Sequence, residues 1–211
     1  MEVYNKMKEH KLIPVAIVEN SKDSIPLGKA LVDAGLPIVE ITFRTEAAEE
    51  SIFKLAKEMP DLLIGAGTIL KIDQVKKSIR AGAKFIVTPG FNPKVVNYCV
   101  KHKIPMTPGV NAPTMIEWAL ERGLKVLKFY PADLSGGTKM LKILEGPYPE
   151  VRFVPTGGIN NETLIEYLRL NNVIACGGSW IVKKELISAG KFDEIKKLTK
   201  EAVSLIKSEI K

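Results

Sequence analysis

A single-domain (β/α)8 TIM barrel is the fold class that this 211-residue sequence predicts, and three observations predict it. From Ile13 onward, short β-rich runs alternate with longer stretches of helical period; eight such units can be counted; and the strand ends fall at 18, 43, 67, 88, 108, 130, 155 and 177, a repeat of 20 to 25 residues. Strands alternating with helices at that pitch form parallel βαβ units, and eight of them close on themselves. The length suits one domain spanning 1–211 with a large core. An open doubly wound sheet is the runner-up, weakened because no G-x-G-x-x-G follows the first strand and no P-loop is present.

Each element has its own signal. Residues 1–11 predict a helix ahead of the barrel, within an N-terminal segment of 1–12. The strand runs are 13–18, 38–43, 62–67, 85–88, 104–108, 126–130, 152–155 and 173–177, rich in Val, Ile and Phe and mostly closed by Gly, Pro, Thr or Arg. Among the helices, Asp73 opens a run to Ala81 with Gly82 after it, Thr114 precedes an amphipathic run to Arg122 with Gly123 after it, and Asn161 precedes a run to Leu170. Apolar residues at Ile195, Leu198, Ala202, Leu205 and Ile206 give 192–210 the stripe of a last outer helix.

Composition narrows the function. A hydrophobic share of 45% against 26% charged is that of a soluble globular protein. The net charge of +7 raises nucleic acid as a partner, but the excess is lysine scattered over helical stretches. There are five arginines, no more than two lysines or arginines adjoin, and no nucleic-acid motif is present. A basic background favours phosphorylated or carboxylated small molecules by steering. Residues 1–11 lack the apolar core of a signal peptide, and no segment approaches a membrane span, so a cytoplasmic protein without membrane partners is expected. Cys99 and Cys176 read as small buried hydrophobes in a reducing compartment. The two histidines, His10 and His102, lie away from strand ends, which argues against a histidine-bound catalytic metal or a Ser-His-Asp triad. Metal-free chemistry is expected.

The chemistry centres on Val126-Leu127-Lys128-Phe129-Tyr130-Pro131. Alternation puts Lys128 on the face of Val126 and Tyr130, in a run that otherwise reads as buried strand. A buried ammonium is costly unless paired, and desolvation favours the neutral amine, a nucleophile that forms a Schiff base with a carbonyl. An edge-strand lysine whose head reaches water explains the run equally well. In the second strand, Glu40, Thr42 and Arg44 share one face, with Val39, Ile41 and Phe43 on the other. A structural Glu40–Arg44 ion pair accounts for that face as well as chemistry does. A lumenal Lys128 beside Glu40, however, joins an amine to a carboxylate able to move protons.

Gly65-Ala66-Gly67-Thr68 ends the third strand with backbone that a ligand can approach and a hydroxyl to bind it. Arg44 and Thr68 together could clamp a carboxylate. Pro155-Thr156-Gly157-Gly158 and Gly177-Gly178-Ser179-Trp180 end strands seven and eight, where barrels commonly build a phosphate site from backbone N–H groups.

The ordered set Val39-Glu40-Ile41-Thr42-Phe43-Arg44-Thr45, Gly65-Ala66-Gly67-Thr68, Thr88-Pro89-Gly90, Lys128-Phe129-Tyr130-Pro131-Ala132, Pro155-Thr156-Gly157-Gly158 and Gly177-Gly178-Ser179-Trp180 closely resembles the bacterial 2-dehydro-3-deoxy-6-phosphogluconate aldolases. These often act also on 4-hydroxy-2-oxoglutarate. The resemblance runs from about Ile13 to the C-terminus. It implies a class I aldolase barrel without a cofactor, usually a homotrimer, serving the Entner-Doudoroff route in the cytoplasm. It implies Lys128 as the Schiff-base lysine and Glu40 as the general acid/base. Arg44 and Thr68 would hold the pyruvyl carboxylate, Pro89 and Tyr130 would pack about it, and Thr156 would lie near the C4 hydroxyl. Gly157, Gly158, Gly178 and Ser179 would cradle a distal phosphate. Two departures stand out: Tyr130 replaces the family's usual phenylalanine, and Val18-Glu19 stands where some relatives carry an arginine.

The expected reaction is reversible aldol cleavage of a 2-oxo acid through an imine on Lys128. Two other functions fit parts of the pattern. A non-covalent phosphate-binding barrel lyase would use lysine and glutamate without an imine, and a sugar-phosphate sensor would be stabilised by ligand without turnover.

Overall fold

The computed structural model describes residues 2–210, so Met1 of the expected 1–11 helix lies outside the described residues. Helix α1 (Glu2–His10) precedes β1 (Leu12–Ala16), and a strict alternation follows: α2 (Ser24–Asp33), β2 (Ile38–Thr42), α3 (Ala48–Glu58), β3 (Leu63–Gly67), α4 (Ile72–Ala81), β4 (Phe85–Val87) and α5 (Pro93–Lys101). The fifth strand is split into β5 (Met106–Thr107) and β6 (Gly109–Val110). Then come α6 (Pro113–Leu120), β7 (Val126–Phe129), α7 (Gly137–Glu145), β8 (Arg152–Pro155), α8 (Leu164–Leu168), β9 (Cys176–Gly178), α9 (Lys184–Ser188) and α10 (Phe192–Glu209).

Every strand pairing is parallel. One sheet has the order β5-β4-β3-β2-β1-β9 and a second the order β6-β7-β8. Pro108 joins them: β5 pairs with β4 before it, β6 pairs with β7 after it, and the Pro108 carbonyl accepts from the Lys128 N–H. At the other end, isolated parallel bridges tie Phe153 to Val173 and Thr156 to Gly177. The result is a curled parallel α/β sheet with helices on its outer face. Its central strands are buried on both faces, as parallel strands must be; every residue of β2 and β3 is buried.

The helices close the core with narrow apolar stripes. In α10 the buried residues are Ile195, Thr199, Ala202 and Ile206, spaced to fall on one face. Each buried isoleucine there contributes about 1.5 to 3 kcal/mol relative to exposure. Elsewhere in the core, Phe129 and Phe153 of the paired strands β7 and β8 meet edge to face, with centroids 6.1 Å apart.

Boundaries differ from the sequence reading where local chemistry outweighs pattern. Proline cannot donate to a ladder, so the 104–108 run breaks at Pro108 and resumes at Gly109. Helix α4 starts before Asp73: the Gln74 side chain accepts from the N–H groups of Leu70 and Lys71, and Lys71 is the cap residue. Its end is as expected, at Gly82 with φ 110°. Helix α6 begins at Pro113 rather than after Thr114, as proline favours the first helical turn. The 161–170 run shortens to α8, because Asn160 and Thr163 use their side chains in a turn just before it.

Helix α1 closes the N-terminal end of the sheet. Met7 is buried, and the Tyr4 hydroxyl donates to the Met106 carbonyl at 2.9 Å while accepting from the Met106 N–H at 3.1 Å. A side chain thus replaces a strand partner for β5 where the sheet splits. Tyr4→Phe leaves both backbone groups unpaired and is expected to cost about 1 to 3 kcal/mol. In a chain of this size that lowers the melting temperature by about 2 to 4 °C per kcal/mol. An unchanged melting temperature would show that these bonds do not hold α1 in place.

Candidate active site

The polar residues inside the curl converge at the C-terminal ends of the strands. Lys128, third in β7, is only 6% exposed, and Glu40, third in β2, only 3%. Their head groups approach to 3.8 Å, Nζ to Oε1. That distance is an ion contact but too long for a hydrogen bond, and Oε1 has no other partner. Both groups therefore keep hydrogen-bonding capacity for a substrate. The Lys128 ammonium also lies 5.1 Å from the centre of the Tyr130 ring, within cation–π range.

Glycine makes room for the carboxylate. A Cβ on Gly67 would overlap Glu40 Oε1 and stand 2.6 Å from Cδ, so the bare backbone of β3 is what lets Glu40 lie flat in the interior. Register places Thr42 of β2 opposite Gly67, and the Thr42 hydroxyl donates to the Ala16 carbonyl of β1 at 3.0 Å. Thr42 serves the frame rather than the pair.

At the rim, Arg44 Nε donates to Thr68 Oγ1 at 3.2 Å. No other hydrogen bond or ion pair engages Arg44 among the described residues, so the two terminal nitrogens of its fork remain available. Arg44 makes no ion pair with Glu40, which disposes of a purely structural pairing. Thr68 has φ 55°. For a β-branched residue this left-handed backbone is an outlier that costs about 1 to 3 kcal/mol, and such strain clusters at ligand clamps.

Pro89 is held over the same strand ends. The Thr88 hydroxyl donates to the Gly90 carbonyl and accepts from the Gly109 N–H, and the Pro89 carbonyl lies where a Gly109 side chain would be. Gly109 is the register partner of Lys128.

The glycine loops sit on the far side. Thr156 is buried, and its carbonyl accepts from the Ala132 N–H, just past Tyr130-Pro131. Gly157 and Gly158 have φ of 98° and 81°, the region that glycine alone enters freely. The Gly157 Cα faces Tyr130 and Pro131, and a side chain on Gly158 would strike Asp133. A cleft of about 500 Å³ brings Gly158 and Ser179 together with Val15 and Ile17. Gly178 is buried in β9 with the Trp180 ring against it, so it shapes the loop but does not face that cleft.

Sequence reasoning passed over Thr107, whose buried hydroxyl has no partner. Its only signal was one hydroxyl in an apolar strand. It also passed over Asn160 and Lys183, which line the cleft from loop positions without periodicity, and Lys184 at the start of α9. The cysteines are inert: burial pushes the Cys99 thiol up to about 11 and that of Cys176 higher still. Among the described residues no group of three or more His, Cys, Asp or Glu could hold a metal ion, and no helix is long and apolar enough to cross a membrane.

Fold and site together define a parallel α/β protein that brings a buried amine and a carboxylate together at the strand ends. Residues 3–198 match the family model of KDPG and KHG aldolases. The 2-dehydro-3-deoxy-phosphogluconate aldolase of Haemophilus influenzae is 47% identical over 206 residues, covering 98% of this chain and 97% of that protein. The KHG/KDPG aldolase of Escherichia coli K12 is 39% identical, covering 91% and 90%. Among solved structures, the KDPG aldolase of Legionella pneumophila, with pyruvate captured at low pH as a covalent carbinolamine intermediate, superimposes with a TM-score of 0.92. It is 36% identical over 96% of this chain and 98% of that one. The chain belongs to the KDPG and KHG aldolase family.

Proposed function

We propose that the protein is a class I aldolase that reversibly cleaves 2-dehydro-3-deoxy-6-phosphogluconate to pyruvate and glyceraldehyde 3-phosphate, and 4-hydroxy-2-oxoglutarate to pyruvate and glyoxylate. The observation that carries this reading is the buried Lys128–Glu40 pair, 3.8 Å apart at the strand ends. Covalent capture of pyruvate in the Legionella relative supports it.

In this mechanism the neutral Lys128 amine attacks the C2 ketone, forming a C–N bond while the carbonyl oxygen takes a proton. Glu40 protonates the departing hydroxyl of the carbinolamine, and water leaves to give the protonated imine. Glu40, left as a carboxylate, then takes the C4 hydroxyl proton as the C3–C4 bond breaks, and it is the source of the proton later returned at C3. The bond's electrons flow into the iminium to form an enamine, and the aldehyde departs. Protonation at C3 and hydrolysis of the imine release pyruvate and restore the amine. Arg44 and Thr68 hold the carboxylate next to C2, the arginine fork suiting a planar anion. Pro89 and Tyr130 pack about the pyruvyl part, with the Tyr130 ring face stabilising cationic nitrogen at Lys128. Thr156 lies near the C4 hydroxyl, and Gly157, Gly158, Gly178 and Ser179 form the phosphate loops, Gly178 by shaping its turn.

The same reading takes the curled sheet as a closed (β/α)8 barrel, since Pro108 links the two sheets on one side and the Thr156–Gly177 bridge on the other. It takes the chain as one domain, assembled as a homotrimer and working in the cytoplasm on the Entner-Doudoroff route.

Incubation with pyruvate and borohydride, followed by intact-mass and peptide mapping, tests the imine. The expected result is one reduced pyruvyl adduct per chain, on Lys128. A folded protein that gains no adduct would remove the covalent mechanism and leave a non-covalent lyase or a sensor.

A further inference from the structure

The cleft beside Gly158 and Ser179 carries charges that the mechanism does not use. Its walls include Lys183, Lys184 and Glu185, at the junction of the β9 loop with α9. Lys184 is committed elsewhere: Nζ lies 2.8 Å from Glu19 Oε1, while the Ser188 hydroxyl donates to Glu19 Oε2 at 3.0 Å. Hydrogen bonds from Lys184 and then Ser188 hold the Glu19 carboxyl below the usual range, so it stays anionic. Lys183 makes no side-chain hydrogen bond or ion pair among the described residues, though it is exposed and stands in the wall shared with a second cleft that contains Glu162 and Glu194. Backbone N–H groups of a glycine loop orient an anion but bring no full charge to neutralise it. In this cleft Lys183 is the cation left to do so.

We propose that Lys183 supplies the charged contact to the distal phosphate of the substrate, and that Lys184 screens Glu19 so that the carboxylate at the end of the first strand does not repel that phosphate. The proposal rests on the aldolase reading and assigns the specificity for a phosphorylated substrate to residues outside the glycine loops. Electrostatics decide the arrangement. Glu19 meets the cleft through Lys184, one of its lining residues; unscreened there it would repel a phosphate dianion, whereas a carboxylate with both oxygens engaged presents little field. Binding of the pyruvyl end, at Lys128 and Arg44, is independent of it.

Steady-state cleavage of 2-dehydro-3-deoxy-6-phosphogluconate, paired with pyruvate–borohydride labelling, tests both parts. Lys183→Ala is expected to raise KM about tenfold with little change in kcat, the loss of one charged hydrogen bond, while Lys183→Arg keeps KM within about threefold of the parent. Lys184→Ala is expected to raise KM as well, and Glu19→Gln added to it should bring KM back. The pyruvate concentration for half-maximal labelling should be the same in all of them. Unchanged KM in Lys183→Ala, with labelling intact, would overturn the phosphate contact and leave the aldolase standing. A KM in Lys184→Ala that Glu19→Gln does not restore would overturn the screen. Absence of labelling in the parent protein would instead remove the aldolase reading itself.

Discussion

Lys128→Ala is expected to lose on the order of 10⁴-fold or more in kcat/KM for aldol cleavage, since the buried amine proposed to carry the imine is gone and acid/base help alone replaces a fraction of it. The same substitution changes stability through Glu40. With its partner removed, a carboxylate only 3% exposed and with Oε1 already lacking a hydrogen bond is left in the interior. Breaking a buried pair in this way costs about 3 to 5 kcal/mol when the remaining charge stays ionised. Lys128→Ala combined with Glu40→Gln should recover part of that stability and none of the activity. Urea unfolding and steady-state assays on the three proteins separate the two effects. Undiminished turnover in Lys128→Ala would end the covalent account.

Gly67→Ala is expected to lower kcat by about 100-fold without removing the pyruvate adduct. The new methyl would occupy the place of Glu40 Oε1 and come within 2.7 Å of Cγ, so the carboxylate must swing away from Lys128. A displacement of about 1 Å in a catalytic group is enough for a loss of that size. The protein should fold, because the atoms that have to yield belong to the Glu40 side chain and not to backbone. Gly90→Ala is the control, as nothing lies within 4 Å of a Cβ there. If Gly67→Ala turned over at the parent rate, the position of Glu40 would be irrelevant to the slow step.

Much of the frame was legible because it depends on periodicity. Val39 and Ile41 alternate with Glu40 and Thr42, and the alternation puts two polar side chains on one face whatever the neighbouring strands do. The stripe from Ile195 to Ile206 likewise selects a helix and its buried face. Ends were less legible. Pro108 split a strand, Gln74 captured the α4 start, and Asn160 drew the first residues of a longer helical run into a turn. Each is a side-chain or ring effect of local range that a hydrophobic pattern does not encode.

The sequence by itself determined the order of strands and helices, the place of Lys128 in an apolar run and the pairing of glycines at two late strand ends, because these follow from spacing and residue type along one segment. Only the tertiary structure decided what those segments meet. It set Lys128 3.8 Å from Glu40 across strands 88 residues apart in sequence, spared Arg44 from an ion pair and gave it Thr68, laid Gly67 against the Glu40 carboxylate, and brought Lys183 to the cleft of Gly158. Distances between groups on different strands depend on register and on the curl of the sheet. Both are settled by packing of the whole chain at once, and no local stretch of sequence contains them.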